Sequence, residues 1–82
     1  VAVFPGGFGT MDELFETLTL MQTGRMDRVP LILFGREFWS KAINPEFLAE
    51  QGTIAPEDVH LIEYVETADE AWACVRRFYS LE

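Results

Sequence analysis

The sequence is poor in cysteine and in positive charge. Its one cysteine, Cys74, cannot form an internal disulfide, and such sparse use fits a reducing compartment, so we expect a cytoplasmic protein. Only six Lys and Arg oppose 14 Asp and Glu, giving a formal net charge of −8. This charge argues against non-specific binding to nucleic acid or to an anionic membrane. No apolar run is long enough to cross a bilayer.

Apolar residues, in contrast, are plentiful. They make up 49% of the 82 residues, which excludes a disordered segment. The length allows one small domain at most. A chain of this size buries only about 60–65% of the surface that its unfolded form exposes, so we expect marginal stability if it stands alone.

Three short apolar runs alternate with longer amphipathic segments. The runs read as strands at 1–4, 29–35 and 60–65, and helical patterns follow at 11–22, 36–52 and 67–79, the second with a break at Asn44-Pro45. Alternating strands and helices indicate a parallel sheet covered on both faces. The sequence therefore predicts an α/β fold, a Rossmann-like three-layer parallel sheet in the order β-α-β-α-β-α.

Three strand–helix units amount to half of a doubly wound domain. The first predicted strand has no earlier strand in this sequence to pair with. We interpret residues 1–82 as a single partial domain, the C-terminal half of a Rossmann-like nucleotide-binding domain.

The segment at residues 4–13, "FPGGFGTMDE", places three glycines within four residues at the end of the first predicted strand. Ligands of open parallel sheets bind beyond the carboxyl ends of the strands. Glycine lets backbone N–H groups approach an anion, and a following helix adds its positive end. These features favour a phosphate site and a purely structural turn about equally. The segment does not match a complete dinucleotide fingerprint or a P-loop.

A second interpretation of the same segment is a capping box. Thr10 and Glu13 have the T-x-x-E spacing in which each side chain bonds the backbone of the other. Thr67 and Glu70 repeat this spacing before the last predicted helix, where no glycines precede it. The spacing alone therefore predicts only a helix start.

The segment also fits the pattern P-G-G-x-G-T-x-x-E, and in this respect the chain resembles the Lonely Guy family of cytokinin-activating phosphoribohydrolases, long labelled lysine decarboxylase-like. The resemblance continues through "ELFETLTLMQTG", "VPLILFGREFW" and "IAPEDV". It implies a Rossmann-like fold and hydrolysis of the N-glycosidic bond between an adenine-type base and ribose 5′-monophosphate.

The resemblance also implies roles for individual residues. Glu13 corresponds to the catalytic carboxylate, which stabilises positive charge on the sugar and orients or deprotonates a water. The residues expected to bind the substrate and its phosphate are Gly6, Gly7, Phe8, Gly9, Thr10, Met11, Asp12 and Thr19. The expected ligand is a purine nucleoside monophosphate such as AMP, with no cofactor and no metal. The expected assembly is a homo-oligomer, a dimer or higher, with active sites near subunit contacts.

One family feature is missing from these 82 residues. The family uses an arginine in an R-K motif upstream of the glycine segment, and Arg25, Arg28 and Arg36 do not match it. We therefore expect the isolated fragment to be inactive. The decarboxylase label finds no support either, because pyridoxal chemistry needs a Schiff-base lysine and the sole lysine, Lys41, reads as a surface charge.

Other reactive residue types are expected to be structural. His60 reads as a surface histidine, Cys74 as a small core residue, and Trp39 and Trp72 as core or interface anchors.

A second functional hypothesis is a non-catalytic nucleotide- or molybdenum-cofactor-binding carrier of the same fold. Release of adenine from AMP would separate the hydrolase from the carrier.

Overall fold

The computed structural model describes residues 1–80. Strands β1, β2 and β3 are Ala2–Val3, Leu31–Phe34 and Ile62–Val65. Helices α1 to α4 are Phe8–Gln22, Arg36–Ala42, Pro45–Glu50 and Ala68–Tyr79, and a 3₁₀ helix spans Pro56–Leu61. This order confirms the predicted alternation of strands and helices.

The three strands form one parallel sheet in the order β1-β2-β3. Ala2 is level with Ile32 in the first pair, and Leu31 is level with Ile62 in the second. The strands lie within the predicted apolar runs. The predicted Rossmann-like α/β arrangement with a parallel sheet is confirmed.

Alternate strand residues face two separate apolar clusters. Leu31 and Leu33 pack on one face with Leu14 of α1 and Trp39 of α2. Ile32 packs on the other face with Cys74 of α4. Helices therefore cover both faces, and β2, the central strand, is buried on both, as expected of a parallel sheet.

Helix ends follow local sequence signals. Gly24, directly after the end of α1, has a φ of +74°. Its N–H donates to the Met21 carbonyl, and the Arg25 N–H donates to the Leu20 carbonyl. These two hydrogen bonds form a Schellman motif. The predicted break at Asn44-Pro45 is confirmed. There the Asn44 side chain accepts a hydrogen bond from the Phe47 N–H and starts α3.

Part of the predicted apolar surface is not covered. In α4, Ala71 and Val75 pack against the sheet with Cys74, but Trp72 and Tyr79 are half exposed.

In the part of the chain that the structure describes, no helix is long and apolar enough to cross a membrane.

Candidate functional site

The glycine segment lies at the carboxyl end of β1, directly before α1. Gly7 is the N-cap of α1, and the first helical bond runs from the Met11 N–H to the Gly7 carbonyl, 3.1 Å. The preceding N–H groups, those of Phe8, Gly9 and Thr10, have no partner within the helix. The helix begins two residues before Thr10, as expected of a phosphate-binding turn between a strand and a helix.

The interpretation of Thr10 and Glu13 as a capping box is wrong. Thr10 is the third residue of α1, and the N-cap Gly7 has no side chain with which to cap. Thr67 does cap α4, because Thr67 Oγ1 accepts from the Glu70 N–H at 3.1 Å. The Glu70 carboxylate completes the cap differently from the predicted box, since its Oε1 accepts from the Glu66 N–H at 3.2 Å and not from that of Thr67. The same spacing is therefore a helix cap in α4 and something else in α1.

The three glycines of the segment have different relations to the fold. A Cβ on Gly6 would overlap the Oγ1 and Cβ atoms of Thr10, so Gly6 is required for packing. A Cβ on Gly7 or Gly9 would meet nothing within 4 Å, and neither residue has a positive φ. Within residues 1–80, neither packing nor backbone conformation requires glycine at these two positions.

Thr10 and Glu13 line the same cavity. It has a volume of about 330 Å³ and lies along β1, between residues 1–5 and α1. Thr17, one turn beyond Glu13, adds a third polar side chain to its wall. The structure therefore places the predicted catalytic carboxylate beside the end of the glycine segment.

Glu13 itself is exposed and available. Its backbone carbonyl accepts from the Thr17 hydroxyl at 3.0 Å. Among residues 1–80, no side chain pairs with the Glu13 carboxylate. The one ion pair among these residues joins Lys41 to Glu37, within α2. A free carboxylate at a cavity wall can accept a proton or stabilise a cation.

Three other predicted site residues lie on a different side of α1. Thr19 lines a separate apolar cavity of about 400 Å³, together with Phe15. Helical geometry places Phe8 and Asp12 on that same side, since residues 7 and 11 apart share a face. Met11 packs against the core instead. Within this chain, the side chains of Phe8, Met11, Asp12 and Thr19 therefore do not line the cavity that contains Glu13.

The carboxyl ends of β2 and β3 carry a polar group that sequence reasoning missed. Glu66, directly after β3, accepts a hydrogen bond at its Oε1 from the Arg36 N–H at 2.7 Å. The end of β3 is thereby connected to the start of α2. The Arg36 guanidinium lies 5.4 Å from the centre of the Tyr64 ring. Burial raises the pKa of the Tyr64 hydroxyl, Glu46 raises it further, and Arg36 opposes both. The sequence signal that could have predicted this group is the position of Glu66, a carboxylate directly after an apolar strand.

The remaining reactive side chains take structural positions. Cys74 is buried and His60 is exposed in the 3₁₀ helix, as predicted. Trp39 is fully buried, whereas Trp72 is not. Lys41 is exposed in α2 and pairs with Glu37. Over residues 1–80, no group of three or more His, Cys, Asp and Glu could hold a metal ion.

A family model described as "Possible lysine decarboxylase" matches residues 1–75, which is most of the chain and includes the glycine segment, Glu13 and all three strands. No curated protein matches the chain.

Proposed function

Because the chain belongs to the family described as possible lysine decarboxylases, we propose that it is part of a nucleoside 5′-monophosphate phosphoribohydrolase of the Lonely Guy type. Such an enzyme hydrolyses the N-glycosidic bond of AMP or of a cytokinin riboside monophosphate. The products are the free base and ribose 5-phosphate. The family description itself names a decarboxylase, but the sole lysine, Lys41, is exposed and lies outside the cavity that Glu13 lines.

One observation carries the proposal: the fold gives no reason for glycine at positions 7 and 9. Gly9 even weakens the helix, since glycine in place of alanine costs about 0.5–1 kcal/mol inside a helix. Both positions lie beside N–H groups that have no partner within α1. Close approach of an anion to this backbone explains the glycines, and a 5′-phosphate is such an anion.

The position of Glu13 fits the chemistry of glycosidic cleavage. Breaking the ribosyl C–N bond builds positive charge on the sugar. Glu13 lies one helical turn beyond Thr10 and shares a cavity with it. A phosphate bound at the start of α1 would hold the sugar near this carboxylate, which then stabilises the charge and activates a water.

The proposed enzyme requires more than this chain. Thr19 and Phe8 lie on the side of α1 away from Glu13, so they could contribute to a site only through another subunit or another segment. We propose a homo-oligomer in which these residues face a subunit contact. The arginine of the family's R-K motif would come from sequence outside these residues.

A carrier that binds a nucleotide or the molybdenum cofactor without catalysis is the second candidate. The glycine segment would serve a phosphate in either protein. The unpaired Glu13 carboxylate favours the hydrolase, because a carboxylate can stabilise positive charge on the sugar and activate a water, and a carrier needs neither.

The deciding experiment is incubation of the full-length protein with AMP, followed by chromatography for adenine and ribose 5-phosphate. The hydrolase releases both in equal amounts, and Glu13→Gln abolishes the release while AMP still binds. Binding of AMP without release by the unaltered protein would favour the carrier. Absence of AMP binding would reject AMP as the ligand in either candidate.

A further inference from the structure

A further cavity lies at the end of the sheet opposite to the glycine segment. This amino-end cavity has a volume of about 320 Å³, and its wall includes Leu31, the first residue of β2, and Leu61, directly before β3. The four residues of β2 span about 13 Å at 3.3 Å per residue. A ligand in the amino-end cavity would therefore lie about the length of a strand away from the glycine segment.

Three parts of the chain bring nitrogen donors to the amino-end cavity. Arg28 comes from the connection between α1 and β2, His60 from the 3₁₀ helix and Arg77 from the last turn of α4. A guanidinium group presents five N–H donors in a plane that matches the oxygens of a phosphate, and a neutral imidazole ring adds one donor. The lining thus combines two permanent positive charges with donors that suit an oxyanion.

Neither guanidinium group is paired with a carboxylate within residues 1–80. Arg28 Nη2 donates to the His60 carbonyl at 3.4 Å, and Arg77 Nη2 donates to Cys74 Sγ at 3.1 Å. Both acceptors are uncharged, so these bonds orient the two side chains and leave their charges uncompensated. In a chain with 14 acidic and only six basic residues, two such arginines at one cavity favour an anion from outside the chain.

A structural role at the end of α4 explains Arg77 less well. Basic side chains near the carboxyl end of a helix often bind its last carbonyls and interact with its dipole. In α4, however, the Ser80 N–H donates to the carbonyls of Arg76 and Arg77. The Arg77 side chain is bound to the sulfur of the buried Cys74 instead. Arg76, which does not line the amino-end cavity, can interact with the dipole.

We propose that the amino-end cavity binds a phosphate monoester. Each guanidinium group can donate two hydrogen bonds to phosphate oxygens, and charge-assisted bonds of this kind are about twice as strong as neutral ones. A volume of about 320 Å³ lies within the range of small-molecule sites, about 300–1,000 Å³, so an organic group fits beside the phosphate. Pro30, Leu61 and Phe78 form an apolar wall against which that group can pack.

Glu63 also lines the amino-end cavity and opposes the binding of an anion. With Arg28 and Arg77 it gives two positive charges and one negative charge, a local net charge of +1 in a chain whose net charge is −8. Its carboxylate repels a phosphate, because like charges at close range disfavour each other. Removal of this charge should therefore strengthen binding, whereas removal of either arginine should weaken it.

The test is an NMR titration of the full-length protein with phenyl phosphate, with chloride keeping the ionic strength constant. We expect the amide signals of residues 60 and 77 to shift with a single Kd. Arg28→Gln and Arg77→Gln should each raise this Kd about tenfold or more, the effect of losing a hydrogen bond between charged groups. Glu63→Gln should lower it. Unchanged signals in the rest of the spectrum verify that each variant is folded.

The chain supplies a matched control for each arginine. Arg25→Gln and Arg76→Gln remove the same charge from positions that do not line the amino-end cavity, so the Kd should stay within about twofold. Equal weakening by Arg76→Gln and Arg77→Gln would mean that the anion responds only to the diffuse charge of the surface. That result, or the absence of shifts at residues 60 and 77, would overturn the proposal.

Inorganic phosphate distinguishes a phosphate ester from free phosphate as the ligand. Phenyl phosphate should bind at least about threefold more tightly, because its ring is removed from water against the apolar wall, and Phe78→Ala should reduce this difference. Equal affinities would overturn the assignment to an ester. Phosphate bound at the start of α1 would instead shift the signals of Gly7 and Gly9. The amino-end cavity and the proposed reaction can therefore fail separately.

Discussion

At the scale of single residues, the glycine segment separates the needs of the fold from those of a ligand. Gly9→Ala adds a Cβ that meets nothing in the chain, at a helical position without positive φ. We expect the variant to gain about 0.5–1 kcal/mol in free energy of unfolding. We also expect at least a tenfold loss of AMP affinity in the full-length protein, because the methyl group blocks approach to the N–H groups. Denaturant titration and calorimetry measure the two effects.

Gly6→Ala is the matched control for Gly9→Ala. Its Cβ would overlap the Oγ1 atom of Thr10, so we expect a loss of about 1–3 kcal/mol in stability. The pair of variants thus differs in the sign of the stability change. If Gly9→Ala left AMP affinity unchanged, the glycine at position 9 would not serve a phosphate.

Glu13 and Glu70 offer a second matched pair. Glu13→Gln should lower the turnover of the full-length protein by orders of magnitude and leave stability within about 0.5 kcal/mol, since its side chain pairs with nothing in residues 1–80. Glu70→Ala removes the carboxylate that accepts from the Glu66 N–H and the Thr67 hydroxyl at the start of α4, and should cost about 0.5–2 kcal/mol with no change in turnover. Equal loss of activity in both variants would mean that Glu13 acts through the helix alone.

The different roles of these two glutamates could not be read from their spacing. Both follow a threonine at three residues, and a capping box was a reasonable prediction for each. In the first copy, however, the turn at Pro5-Gly6 allows the helix to start at Phe8, so Thr10 enters the helix and loses its capping position. The backbone N–H groups that a cap would have satisfied are left to another partner.

At the scale of elements, apolar runs predicted the sheet well because β2 is buried on both faces. A continuous run such as residues 31–34 has no other place in a small α/β fold. The outward side of the helices was harder to predict. Phe15 and Trp72 fit apolar stripes by spacing, yet both are substantially exposed, because periodicity cannot tell a face that packs inside the chain from one that packs outside it.

One carboxylate connects two elements and can be tested by itself. Asp58 Oδ2 accepts from Gln22 Nε2 of α1 at 2.8 Å and from the Ala55 N–H at 3.0 Å, so it binds the 3₁₀ helix to α1. Asp58→Ala should lower the free energy of unfolding by about 1–2 kcal/mol. Glu57→Ala, at the exposed neighbouring position, should stay within about 0.5 kcal/mol. Chemical denaturation of both variants gives the comparison, and equal losses would contradict a connecting role for Asp58.

At the scale of the whole molecule, the chain exposes more surface than its mass predicts. A folded monomer of 9.4 kDa exposes about 5,000 Å². This chain exposes 5650 Å², and aromatic side chains on both sides of the sheet contribute to it, among them Phe4 at 61% and Trp72 at 55%. The free edge of β1 adds unpaired backbone groups of the kind that associate with other strands.

These surfaces lead to a prediction for residues 1–82 expressed alone. The buried apolar core among the described residues consists of nine side chains, which is little for a domain that must offset the conformational entropy of its whole chain. We expect the isolated segment to self-associate or to melt without cooperativity, because the surface around Phe4 and β1 and the surface around Phe8 are both uncovered. Sedimentation and a thermal melt at several dilutions would measure this. A compact monomer with a sharp, concentration-independent melt would instead mean that these 82 residues are a complete domain and that neither surface needs a partner.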